Sequence, residues 1–207
     1  MDENVSHYTS PTPFDVDFDT DADGNALASG DTIDIEYKSM GITVSTPNHE
    51  YGAMIFDTAN ITGQDHDLRD PNLKSGKDLL GNGLILSEDG NASDADDNAD
   101  GGTFRFEFDG LVGISGVNML DIDKGETVTI RTYDAEDILL DTQVFDGVGN
   151  NKVQTIELDT GLIRGMEVEL SASGAITGLE GDRFYSNTAN ASLLESSDII
   201  ASDILHQ

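Results

Sequence analysis

The feature that most constrains this chain is an apolar–polar alternation with a period of two, repeated in short runs. In "TIDIEY", Ile33, Ile35 and Tyr37 fall on one side and Asp34 and Glu36 on the other. "FRFEF" sets Phe104, Phe106 and Phe108 against Arg105 and Glu107, and "MEVEL" sets Met166, Val168 and Leu170 against Glu167 and Glu169. "TVTIRTY" aligns Val128 with Ile130. Successive side chains of a strand point to opposite faces, so the pattern predicts strands with one face in a core and one in water. "GITVS", "AMIF", "LIL", "VNML", "ILLDTQVF", "VQTIEL" and "AITGL" are further candidates.

Turn signals punctuate these runs: Gly24-Asn25, Ser29-Gly30-Asp31, Gly81-Asn82-Gly83, Gly101-Gly102 and the stretch Gly147 to Asn151. Many short strands between Gly, Asn and Asp turns, without a βαβ rhythm, predict an all-β fold: an antiparallel β-sandwich. Residues 14–180 carry the pattern. Residues 1–13, polar and holding Pro11 and Pro13, are expected to be a lead-in tail, and 181–207 a C-terminal tail. The latter nearly repeats itself, with Ser197-Asp198-Ile199-Ile200 followed by Ser202-Asp203-Ile204-Leu205. A chain of 207 residues, 37% hydrophobic, is long enough to bury a full core.

Charge narrows the function. There are 41 acidic and 10 basic residues, a formal −31 at pH 7. Nucleic acid and anionic membrane surfaces need clustered Lys and Arg, so neither is an expected partner. Carboxylates at this density repel one another unless salt, calcium or a cationic partner screens them. With no Cys, disulfides and thiol chemistry are excluded. The opening "MDENVSHYTS" shows neither the basic nor the apolar region of a signal peptide, and no run approaches the length of a membrane span.

The densest acidic stretch is "DFDTDADGN". Asp17, Asp19, Asp21 and Asp23 occupy alternate positions ahead of Gly24 and Asn25. Calcium takes six to eight oxygens, and short acidic side chains at alternate positions can fold around it. From Asp19 the motif opens like an EF-hand loop, but its twelfth position is Gly30 rather than Glu, and its flanks are strand-like. The alternatives are a calcium turn between strands, with ligands borrowed from elsewhere, and a solvated acidic turn.

Two further loops favour metal. "FDTANITGQDHDLRDP" carries Asp57, Asp65 and Asp67 beside Asn60 and Gly63. "SEDGNASDADDNADGG" carries Glu88, Asp89, Asp94, Asp96, Asp97 and Asp100 between two strands. Unpaired, such groups repel; a divalent ion turns the repulsion into ligation, and a solvated, disordered loop is the other outcome. His66 lies between Asp65 and Asp67, but His7, His49 and His206 show no ligand spacing, and HExxH and GxSxG are absent. Carboxylate pairs for glycoside cleavage exist in so acidic a chain, yet a general acid needs a semi-apolar pocket, whereas these lie in polar turns. The expectation is a chain without catalysis.

The order of "ASGDTIDIEYKSMGITVS", "GAMIFDT", "TGQDHDL", "GNGLILSEDG", "DADDNADGGTFRFEF", "VNMLDID", "VTIRTYDAEDILL", "GNNKVQTIEL" and "MEVELSASGAITGLE" resembles a secreted β-sandwich module of marine bacterial and cyanobacterial surface proteins. The resemblance covers roughly residues 14–180. It implies a jelly-roll-like module similar to calcium-dependent carbohydrate-binding domains, located outside the cell or on its surface. It also implies that the first and last strands lie side by side, so that Asp17 or Asp19 and Glu180 could approach one Ca2+. The apolar span and basic end of a sorting tail are missing after residue 180, and there is no Trp for a sugar-stacking platform. Tyr37, Tyr51, Tyr133 and Tyr185 are the substitutes. The expected partner is a polysaccharide or cell-surface glycan, or, in a matrix, filament or surface-layer role, other copies of the chain.

Overall fold

The fold turns on one strand. In the computed structural model, which describes residues 10–63 and 65–185, β6 runs over Gly102–Leu120, 19 residues. Strands are usually 3–10 residues long, and β6 is longer because it runs through both halves of one 11-stranded sheet. Its first part pairs with β3 (Ile42–Ser45) on one edge and β10 (Ile163–Leu170) on the other. Its second part pairs with β9 (Val153–Glu157) and β11 (Ala175–Phe184). The change of partners falls at Asp109–Leu111, where the buried alternation lapses and the β10 register shifts.

From β10 the first half continues through β7 (Thr127–Tyr133) to the edge strand β8 (Leu139–Asp146). From β11 the second continues through β5 (Asn82–Leu86) and β4 (Ala53–Asp57) to β2 (Thr32–Ile33). β1 (Thr12–Val16) pairs with the later part of β11, Val16 opposite Leu179 and Thr12 opposite Arg183, so the first and last strands do lie side by side. Every strand pair is antiparallel, and among the described residues the one helical piece is the 3-10 turn Lys38–Met40. This is the all-β antiparallel sandwich that the alternation predicts. Among the described residues no helix is long and apolar enough to cross a membrane.

The core lies between the two halves of the sheet. Phe104, Phe106, Phe108, Val128, Ile130, Met166 and Val168 come from one, and Ile55, Leu84, Ile114, Val117, Ile176 and Leu179 from the other. Each side chain of this size contributes about 1.5–3 kcal/mol when fully buried. A second, smaller cluster lies on the outer side of β4 and β5. There Met54, Phe56 and Ile85 are covered by Leu68 and Ala95, which belong to the two acidic loops. The runs "AMIF" and "LIL" lack polar alternation because those strands are covered on both faces.

One strand is shorter than the alternation predicts. "TIDIEY" is a strand only at Thr32–Ile33, and Ile35 is 59% exposed while Tyr37 is buried. The carboxylate of Glu36 accepts the N–H groups of Asp34 and Ile35, and Asp34 Oδ1 also accepts that of Ile35. Those donors are thereby taken from any ladder. β8 forms as expected, but Leu139, Leu140 and Val144 are exposed. β1 begins at Thr12 and β11 ends at Phe184, so both strands cross the expected tail boundaries at residues 13 and 181; residues 1–9 and 186–207 lie outside the described residues.

Candidate functional site

Asp17–Asn25 leaves the end of β1 and folds largely onto itself. Asp21 Oδ1 accepts the backbone N–H groups of Asp23 and Asn25 at 2.9 and 2.8 Å, and its Oδ2 accepts Asn25 Nδ2 at 2.8 Å. The hydrogen bonds from Asn25, then that from Asp23, hold the Asp21 carboxyl below its ordinary range. Asp17 accepts the N–H of Asp19 at 2.9 Å. Asp19 itself faces another turn, where Oδ1 accepts the N–H of Asn82 at 2.7 Å. Gly81 permits this approach, because a Cβ there would collide with the Asp19 carboxylate. Asp23 is met by the hydroxyl of Ser39. The alternate aspartates thus serve separate turns instead of one point.

Glu180 does not stand by Asp17 or Asp19 in the ladder. It is opposite Asp15 in the β1–β11 register, and Asn118 Nδ2 donates to it. Asp17 lies just beyond the last residue of β1, and it and Glu180 both act on Asp15. Burial, then the charges of Glu180 and Asp17, push the Asp15 carboxyl up.

The other acidic loops do come together. Asp57 caps its own turn, accepting from the N–H groups of Ala59 and Asn60 and from Asn60 Nδ2. Burial pushes its carboxyl up, but these hydrogen bonds outweigh that and leave it below its ordinary range. Further on, Thr62 Oγ1 donates to the carbonyl of Ala95 at 2.9 Å, and the N–H of Asp97 donates to Asp65 Oδ2 at 3.2 Å. Asp97 is only 7% exposed, and its Oδ2 accepts the N–H of Gly174 at 2.8 Å. Buried Asp121, at the end of β6, accepts the N–H of Asn151. Asn151 Nδ2 in turn donates to the carbonyls of Asp67 and Arg69. Neither Asp121 nor Asn151 stands out in the sequence: Asp121 ends an apolar run and Asn151 sits in a polar turn, so only the fold brings them here.

Electrostatically this is a crowded place. Burial, followed by the charges of Asp97, Asp96 and Asp67, pushes Asp65 up to about 7. Burial, then Asp67 and Asp123, pushes Asp121 up to about 6 against the Asn151 hydrogen bond. Asp97 is raised by burial despite hydrogen bonds from Ser173 and Gly174. Asp96 is raised by burial and by Asp89, Glu88 and Asp94, which lie exposed in the same loop, and its Oδ1 is buried without a hydrogen-bond partner. Ion pairs of the described residues all use Arg105, Arg131 or Arg183, none of which reaches these loops.

The donors are oxygens throughout, the chemistry a hard divalent cation selects. As the side chains stand, no group of three or more His, Asp or Glu among the described residues forms a ready ligand shell. His66 points outward between Asp65 and Asp67. Of the tyrosines, Tyr37 is buried with its hydroxyl donating to the carbonyl of Thr20, and Tyr133 donates to Glu167. Tyr51 packs edge-on against His49 at 6.3 Å, and Tyr185 is 54% exposed.

No protein-family description matches the chain, and no curated protein matches it. Solved structures that resemble it include TmCBM61 in complex with β-1,4-galactotriose, 12% identical, covering 72% of this chain and 92% of that one with a TM-score of 0.36. A fucose-binding module of Streptococcus pneumoniae is 14% identical, covering 43% of this chain and 69% of that one with a TM-score of 0.30. The enzymatically active domain of tailspike protein 4 of bacteriophage CBA120 is 11% identical, covering 77% of this chain and 21% of that one with a TM-score of 0.33.

Proposed function

We propose that this chain is a non-catalytic, calcium-stabilised β-sandwich module that works outside the cell and binds a glycan. The observation that carries this reading is the meeting of Asp65, Asp67, Asp96, Asp97 and Asp121 without a cationic partner among the described ion pairs. Carboxylates pushed toward neutral pH by burial and by each other gain most from an ion that replaces the proton and cancels the repulsion. Zinc or copper would select imidazole or thiolate, whereas the chain has no Cys and its His66 is exposed. Extracellular modules commonly hold calcium at about 10⁻⁴–10⁻³ M, levels met outside cells. With the loops fixed by calcium, a rigid polar rim is available to a polyhydroxylated ligand.

Raised carboxylates also suit a general acid, but Asp65 and Asp121 line none of the four clefts that border β11. Their environment is that of loop closure. Titration calorimetry of chelator-stripped protein with CaCl2, beside Asp65→Asn and Asp97→Asn, tests the metal. A glycan array read in calcium and in EDTA tests the ligand. Heat of binding that the two variants lose, with glycan retention by the parent, is expected; equal calcium binding by parent and variants, or turnover of a retained glycan, overturns the reading.

One observation favours a second reading, self-association. Among the described residues β8 is a terminal strand of the sheet, and Ile138, Leu139, Leu140 and Val144 lie exposed on it or beside it. A free strand edge of this kind is a template for another copy. Sedimentation of the parent against Val144→Lys decides: a dimer that the variant loses supports it, and a monomeric parent at high concentration rejects it.

A further inference from the structure

A charge pair stands between two clefts at the other end of β11. Gly174, whose N–H binds Asp97, precedes the strand, and Arg183 lies nine residues on, about 30 Å along at the usual rise. Arg183 is only 8% exposed. Its NH1 donates to Asp109 Oδ1 at 2.8 Å, while its NH2 is buried without a hydrogen-bond partner. Asp109 comes from the bend of β6, and its N–H donates to the carbonyl of Gly41. Gly41, at φ +69°, is required there: a Cβ would collide with both the Asp109 carboxylate and the Arg183 guanidinium.

The pair and Tyr185 are shared by both clefts. One, of about 360 Å³, adds Phe14 and Met40; the other, of about 410 Å³, adds Arg164, whose Nε donates to the carbonyl of Phe108. Tyr185 is the exposed tyrosine of this region. Clefts of this size suit small ligands.

We propose that Arg183, Asp109 and Tyr185 form a sugar subsite for a neutral oligosaccharide, with successive rings in the two clefts. Each group has a task. The part of the Arg183 guanidinium that lines the clefts donates to a ring hydroxyl, while its sealed NH2 keeps the group in place, and the exposed Asp109 oxygen accepts the proton of the neighbouring hydroxyl. A hydroxyl is both donor and acceptor, so a vicinal diol matches this side-by-side fork. The Tyr185 ring covers the apolar face of the sugar. An anionic ligand fits less well, because Asp109 already meets the charge of Arg183, which leaves Arg164 as the cation of the second cleft, and the whole chain carries −31.

The subsite rests on the glycan reading above and is distinguishable from it. The probes are galacto-, manno- and gluco-oligosaccharides, with oligogalacturonate as the acidic counterpart, titrated into the full chain in calcium. The variants are Asp109→Asn, which keeps an acceptor for Arg183 without the charge, and Tyr185→Ala, whose side chain is exposed, with Arg183→Lys as the third and melting temperature measured for all. The expected result is binding of a neutral oligosaccharide that Asp109→Asn and Tyr185→Ala weaken at least tenfold, with both variants still folded at the temperature of the titration. Parent-like binding by both variants overturns the subsite but leaves the glycan reading standing. Binding of oligogalacturonate alone overturns the neutral assignment, and no binding by the parent overturns both.

Discussion

Two aspartates that look equivalent in sequence take opposite roles. Asp21 is the hydrogen-bond hub of its turn, whereas Asp65 is half-buried among like charges. Replacing Asp21 with Ala removes three hydrogen bonds from the turn, so the melting temperature should fall even in EDTA; an unchanged metal-free melt would show the turn to be held by its backbone alone. Asp65→Asn should do the reverse, raising the metal-free melting temperature and abolishing the calcium-specific gain. The pH dependence follows from the sign of its shift. Its folded value, about 7, lies above the ordinary Asp value of about 3.9, so the fold binds the proton more tightly than the unfolded chain does. Metal-free stability is therefore fullest below about pH 4 for this group and is lost as pH rises through 7. The advantage of the Asn variant over the parent in EDTA should grow between pH 5 and pH 8, and a constant difference would sink this account. In the sequence, "DFDTDADGN" is the conspicuous motif and Asp121 is ordinary. Residue spacing reports which groups are near along the chain, but burial, which sets the shift, is a property of the fold.

At the scale of elements, legibility depends on what covers each face. "FRFEF" and "MEVEL" reveal their core faces because one side is uniformly apolar. They do not reveal that the polar face is also partly covered. Arg105 is buried there, with Nε to Glu107 at 2.8 Å, NH2 to Asp137 at 2.6 Å and NH1 to Glu167 at 3.5 Å, its guanidinium 4.2 Å from the Tyr133 ring centre. Arg131 adds a 2.7 Å pair to Glu169 on the next strand. "TIDIEY" misleads for a related reason, since its own carboxylates compete for the N–H groups a strand would use. Arg105→Met keeps much of the apolar stem but leaves Glu167, the least exposed partner, short of a cation. Glu167 keeps the Tyr133 hydroxyl and Arg131 at 3.8 Å, so a loss of about 1.5–3 kcal/mol in urea unfolding is expected, the worth of charge-assisted hydrogen bonds given up by Arg105. Adding Glu167→Gln should return part of it. If the double variant is no better than the single one, the stem packing of Arg105, not its charge, holds that face together.

Over the whole molecule the question is what balances a formal −31. Added NaCl screens exposed carboxylates over a Debye length of about 10 Å at 0.1 M, but screens buried groups much less. The exposed carboxylates, Glu180 and those of the Asp17–Asn25 turn among them, therefore respond to any salt. Asp97 and Asp121 are buried and Asp65 is partly so, and they need an ion in contact. The two populations separate in one experiment: thermal unfolding in EDTA, in EDTA with NaCl, and in about 10 mM calcium at matched ionic strength. A site with Kd a hundredfold below the calcium used adds about 2.7 kcal/mol to the folded state. For a chain of this size each kcal/mol moves the midpoint by roughly 2–4 °C, so about 5–11 °C beyond the NaCl effect is expected. Asp65→Asn and Asp97→Asn should lose that increment while keeping the response to NaCl. If NaCl reproduces the full shift, the aspartates are a salt-adapted surface, and the Arg183 cleft, which needs no calcium for its own geometry, becomes the place where function is to be sought.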